Sequence, residues 1–287
     1  LHSEVDCDRM DYLLRDAHYT GLKYGAYDRD YLLHHFRVMS VDNHDILTIK
    51  ENALHSIEDF LTARFAWYSQ VIRSPRGAKF DAVAEKLCYF FLEKEWMHRY
   101  SDLLEMIEND AVLFNGFNDN YFMGLVHKLF SEGKLDKYPK YREMAEMLLF
   151  AKGPKAVKCE AFKQCLLSQD DLTATEKVQK RALAKFEEIE ALIAKKGTKK
   201  DWVINDLPTK NIIFMNSHHS IVRKKKNQNI LLERDPVKIS RENGEVILLA
   251  DAENSLLNKV QNTINYTPNV YCSESAYELL KREKIIE

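Results

Sequence analysis

Apolar residues return with helical spacing over residues 5–19, where Met10, Leu13, Leu14 and Ala17 share one side of the cylinder. Gly21 to Gly25 reads as a tight turn. A second helix is expected over 28–37, with Asp28 placed to cap its N-terminus. From Val38 to Ile49 the pattern alternates around Asp42-Asn43-His44-Asp45, which predicts a short hairpin. Two long helical patterns follow at 52–73 and 77–99, divided by Ser74-Pro75-Arg76-Gly77, and shorter ones cover 101–109, 118–132, 139–152 and 174–196. Beyond Lys195-Lys196-Gly197 the character changes. Short apolar runs occupy 202–206 and 211–215, and Glu242-Asn243-Gly244 signals a hairpin within 229–250. A helix at 252–264, a strand at 269–273 and a helix at 275–284 complete the pattern. The expectation is a mainly α protein: a helical body over 1–197 and a small α+β module over 198–287, without internal repeats.

Composition narrows this picture without redirecting it. Formal net charge is −2 over 287 residues, so the chain as a whole offers no basic field to nucleic acid or to a membrane surface. Five cysteines (Cys7, Cys88, Cys159, Cys165 and Cys272) are scattered and form no C-x-x-C pair. That argues against a disulfide framework or a zinc knuckle and for reduced thiols in the cytoplasm. No apolar run approaches the roughly 20 residues of a membrane span. The sequence opens Leu1-His2-Ser3, with no initiator Met and no apolar signal region, which reads as an interior position of a longer chain.

The first helix carries the candidate chemistry. Asp8, Arg9, Tyr12, Arg15, Asp16 and Tyr19 fall within an arc of roughly 120°, opposite the apolar stripe. A plain solvent face tends to carry Lys and Glu without interleaved phenols. Here carboxylates can hold a cation, guanidiniums can hold phosphate oxygens, and a tyrosine can contact a sugar or a phosphate. The competing reading is an exposed face held by ion pairs of the Asp8–Arg15 kind.

The string Asp6-Cys7-Asp8-Arg9-Met10-Asp11-Tyr12-Leu13-Leu14-Arg15-Asp16, continuing through Thr20-Gly21 and Tyr24-Gly25, resembles the D-x-D-[RK]-x-D-Y-x-x-R-D signature of HD-domain deoxynucleoside triphosphate triphosphohydrolases. Leu54-His55-Ser56-Ile57-Glu58-Asp59-Phe60-Leu61-Thr62-Ala63-Arg64 resembles the helix that brings an arginine to the triphosphate in that family. Together the two strings cover roughly residues 1–75. The resemblance implies an HD-type helical body and a metal-dependent phosphohydrolase that cleaves dNTPs to a deoxynucleoside and inorganic triphosphate. It implies Asp8 as the last ligand of a divalent metal (Mg, Mn, Fe, Ni or Zn), the others being a histidine and a His-Asp pair upstream. It further implies Arg9 facing the phosphates, Tyr12 and Asp16 near the deoxyribose, and Arg64 on the triphosphate. A homo-oligomer and a nucleotide effector are also implied. Where the family often shows Tyr-x-His before the helix break, this chain has Ile72-Arg73-Ser74. The 287 residues do not contain the upstream ligands, so alone they are expected to be inactive.

Other motifs weigh less. His44-Asp45 is an HD dipeptide in a polar hairpin tip, where a loop role fits better than metal ligation. His34-His35 and His218-His219 read as surface histidines. His55 lies half a turn from Arg64 and suits a supporting hydrogen bond, and His18 is off the polar arc. Arg223-Lys224-Lys225-Lys226 could bind nucleotide phosphates or nucleic acid, with a solvated loop the favoured reading. Trp67-Tyr68, Tyr89-Phe90-Phe91 and Trp96 read as core. The rival to the enzyme is a non-catalytic HD-like protein that senses nucleotides or binds nucleic acid.

Overall fold

The computed structural model describes residues 4–168, 171–207, 212–213, 230–232, 236–260 and 263–286. It is mainly helical with small sheets, as the hydrophobic pattern predicts. The chain forms two compact units that interleave along the sequence. The first comprises Leu1–Ser74, Gln164–Lys177 and Thr209–Tyr266; the second comprises Pro75–Lys163, Val178–Pro208 and Thr267–Glu287. A division after Gly197 therefore does not describe these units, because strands late in the chain pair with partners far upstream.

In the first unit, α1 (Cys7–Thr20) starts where the Asp6 carboxylate accepts the Arg9 amide at 2.8 Å. A cap of this kind contributes about 1 kcal/mol. The helix ends at Gly21, whose φ of 70° is the left-handed conformation that glycine adopts without strain. Met10, Leu13 and Ala17 are buried as the periodicity requires. Gly25 closes the following turn so tightly that a Cβ there would lie 2.4 Å from the Ala17 Cβ. α2 (Arg29–His34) is capped by Asp28, as expected, but stops before residue 37 because Phe36 already belongs to a strand.

That strand, β1 (Phe36–Val41), pairs antiparallel with β2 (His44–Lys50) through a two-residue turn. Asp42 and Asn43 both take positive φ, 49° and 61°, which matches the right-handed strand twist. β2 pairs in parallel with β7 (Lys238–Ser240), which pairs with β8 (Val246–Leu248) across the Glu242–Gly244 turn. A second small sheet joins β4 (Cys165–Ser168), β9 (Thr263–Tyr266) and β6 (Ile212–Ile213). α3 (Leu54–Trp67) packs Ile57, Phe60 and Leu61, all fully buried, into the core shared with Leu13 and Ile239. It runs on as a π-helical turn over Tyr68–Ile72.

The second unit begins with α4 (Pro75–Glu93), whose leading proline supplies a helical φ where no amide donor is needed. α5 (Tyr100–Asn109), α6 (Ala111–Asn115), α7 (Asp119–Ser131) and α8 (Pro139–Leu149) follow. α9 (Leu172–Lys196), which belongs to this unit from Val178 onward, packs Ala182, Phe186 and Ile189 against α10 (Glu274–Arg282). The third sheet places β10 (Asn269–Cys272) between β3 (Lys155–Ala156) and β5 (Val203–Asp206).

The helix expected at 252–264 does not form. Leu256–Lys259 makes a 3-10 turn and the chain then enters β9. The buried Glu58 carboxylate accepts both the Leu256 amide (2.6 Å) and the Ser255 hydroxyl (2.7 Å), and pairing with β4 draws Thr263–Tyr266 into a strand. Among the described residues, no helix is long and apolar enough to cross a membrane.

Candidate functional site

The polar arc of α1 divides once side chains are placed. Arg15 turns outward and pairs with Asp11 at 2.8 Å, not with Asp8, and Tyr19 is 82% exposed. Arg9, Tyr12 and Asp16 instead gather beside the end of α3, within the first unit. The Tyr12 ring lies 4.7 Å from the Trp67 indole, centroid to centroid. The indole Nε1 donates to Asp16 Oδ2 at 3.0 Å. The Arg9 guanidinium lies close to Tyr12 and also approaches Asp6, Nη1 to Oδ2, at 3.6 Å. Burial pushes the Tyr12 phenol above its ordinary value, and the Arg9 and Arg64 guanidiniums pull it partly back.

Arg64 projects from α3 with its side chain 19% exposed. Its Nη1 sits 3.5 Å from Glu4 Oε1, an ion-pair distance, and among the described residues it has no acceptor at hydrogen-bond geometry. Two guanidiniums thus act on one phenol, and one of them is also paired with the buried Glu4 carboxylate.

Asp8 lies one turn before Tyr12 and is exposed. Among the described residues, no three His, Cys, Asp or Glu side chains gather closely enough to hold a metal ion. Asp8 is therefore not part of any such group.

His34, His35, His44 and His55 make their contacts elsewhere. His44 opens β2 and meets the Asp42 carbonyl at 2.7 Å through Nδ1, so the His44-Asp45 dipeptide stays in the hairpin. His34 and His35 bond backbone carbonyls of their own helix. His55 is exposed and meets Glu58 Oε2 at 2.9 Å, a supporting bond at the surface and not in the core. His218-His219 and Arg223–Lys226 lie outside the described residues. Trp67, read from sequence as core, does pack against the first unit's core, and it also reaches Asp16. Its spacing of three from Arg64, which puts both on one face of α3, is the signal that could have found it.

No protein-family model matches the chain. A stretch of 89 residues is 38% identical to the uncharacterized protein YwfO of Bacillus subtilis, covering 31% of this chain and 20% of that protein. A stretch of 123 residues is 29% identical to an uncharacterized protein of Methanocaldococcus jannaschii, covering 43% of this chain and 27% of that one. Among solved structures, a phosphohydrolase from Bacteroides thetaiotaomicron superposes with a TM-score of 0.56 at 16% identity, over 95% of this chain and 62% of that one. A hypothetical protein from Aquifex aeolicus gives 0.56 at 20% identity, over 96% and 56%. The chain thus has a phosphohydrolase-like fold and spans about three fifths of the solved chains it matches.

Proposed function

We propose that this chain supplies the substrate-side wall of a metal-dependent phosphohydrolase that cleaves dNTPs to a deoxynucleoside and inorganic triphosphate. The carrying observation is that the Arg9 guanidinium and the mostly buried Arg64 guanidinium both act on Tyr12. Arg9 and Asp16 are seven residues apart on one helix, about 10 Å along its axis. That span separates a cationic end from a carboxylate end, which suits a triphosphate joined to a sugar.

On this reading the phosphate oxygens accept from Arg9 and Arg64, and charge developing on the leaving triphosphate is met by donors already in place. Tyr12 keeps its proton at neutral pH and can donate to a phosphate or sugar oxygen. Asp16 accepts from a sugar hydroxyl. Asp8 would supply one carboxylate to a divalent metal (Mg, Mn, Fe, Ni or Zn), which would polarise the phosphate when bound. The resemblance of the α1 and α3 strings to dNTP triphosphohydrolases supports the substrate; the fold likeness supports the reaction class alone.

The test incubates the protein in its full natural length with each dNTP and Mg²⁺ or Mn²⁺ and identifies the phosphate product. Inorganic triphosphate is expected. Arg64→Ala should lower kcat/KM by about 10²–10³, and Asp8→Ala should abolish turnover with unchanged melting temperature. Release of pyrophosphate or monophosphate overturns the reaction. Saturable dNTP binding without turnover would favour a nucleotide sensor.

A further inference from the structure

Trp67 ends the regular part of α3, immediately before the π-helical turn over Tyr68–Ile72. Insertions of this kind interrupt the α ladder and recur at functional sites. The residue reaches back to α1 twice: its ring lies against Tyr12, and its Nε1 donates to Asp16 Oδ2 across 51 positions of sequence. Arg15, the neighbouring cation that could have taken Asp16, is engaged by Asp11 through both Nε (3.2 Å) and Nη2 (2.8 Å).

The donor's chemistry matters. An indole N–H is neutral and cannot titrate, so it fixes a carboxylate's orientation without cancelling its charge. With Oδ2 held by the indole, Oδ1 points in a defined direction and can only accept. An acceptor held this way selects a ligand group that donates, and the donors of a nucleotide's sugar are its hydroxyls. The same ring limits the rotation of Tyr12. One side chain on α3 therefore sets both α1 residues at the carboxylate end of the site, while Arg64, one turn earlier on α3, serves the cationic end.

We propose that Trp67 is a positioning residue, orienting Asp16 through its indole N–H to accept a sugar hydroxyl of the nucleotide; this rests on the dNTP reading of the same site. Trp67→Phe keeps a ring against Tyr12 and removes the donor. In the full natural-length protein it should raise KM for dNTPs about tenfold with kcat within about twofold, as loss of one hydrogen bond to a charged group implies. The same substitution in an Asp16→Asn background should add little further, because the two residues act as one unit. Independently of turnover, the Trp67 indole ¹⁵N–H resonance should move in Asp16→Asn and again when dNTP is added.

Equal KM for wild type and Trp67→Phe, or additive effects in the double variant, overturns the positioning role and leaves the dNTP reading intact. Absence of dNTP turnover in the wild type overturns the reading itself. A fall in melting temperature with an indole resonance unmoved by Asp16→Asn shows a packing role and also defeats the proposal.

Discussion

The α1–α3 face of the first unit and the α4–α8 layer of the second are both rich in aromatic rings, but they use them differently. In the second unit Phe90 stacks on Tyr141 at 3.7 Å and meets Tyr138 edge-on at 4.9 Å, and the Lys94 ammonium lies over both Phe90 and Tyr138. Trp202 closes the same core by donating to Glu143 Oε2 at 2.9 Å. Rings, cation and carboxylate satisfy one another there. In the first unit Tyr12 and Trp67 also pack against the core, but Trp67 donates to Asp16, and Arg9 and Arg64 both act on Tyr12. Several charges gathered beside the rings set this region apart as the candidate site.

The largest effect expected is on the packed side. Phe91 is fully buried in the second unit's core, and Phe91→Ala should cost about 3–5 kcal/mol of stability. Denaturant melts would measure the loss, and hydrogen exchange should show protection falling first in α4, α7 and α8. If Arg64→Ala lowered stability as much as Phe91→Ala, the contrast between a site and a core would collapse.

A smaller effect distinguishes the units by pH. Burial pushes the Tyr27 phenol up to about 12 from 10.0, and its hydroxyl donates to the Met10 carbonyl at 2.6 Å. The folded protein therefore holds this proton more tightly than the unfolded chain. The resulting stability is fully present below pH 10 and is lost as pH rises from 10 towards about 12. Tyr27→Phe should flatten that alkaline loss in thermal melts followed across the same range. An unchanged slope would show that α1 does not depend on this bond.

The mildest test uses the thiols. Burial holds Cys272 up to about 12, whereas Cys7 is exposed at the start of α1. At pH 8.5 iodoacetamide should modify Cys7 promptly and Cys272 only as fast as the second unit opens. Fast labelling of Cys272 would mean that unit is looser than its packing indicates.

Much of the secondary structure was legible before any coordinates. The stripe Met10–Leu13–Ala17 gave α1, Asp28 gave the start of α2, and Ser74-Pro75 separated α3 from α4. These signals are local, and so they survive folding. The short helix α6 and strands β3 and β4 were missed because each is five residues or fewer and owes its form to its neighbours. The expected helix at 252–264 failed for the same reason, since Glu58 and β4, far upstream, decide that segment. In the candidate site, Arg9, Tyr12, Asp16 and Arg64 are legible from sequence; the bond from Trp67 to Asp16 is not, because it depends on how α1 meets α3.

By itself the sequence determined which faces of α1 and α3 are apolar and which carry charge, because a helix's period fixes the bearing of every side chain about its axis. It could not determine which charges meet. That α1 turns Asp16 to an indole 51 residues away, leaves Arg15 to Asp11 and sets Arg64 near Tyr12 depends on how two helices pack. Packing is settled by the whole buried surface and by strand pairings such as β2 with β7, nearly two hundred residues apart in sequence, and no local pattern records it.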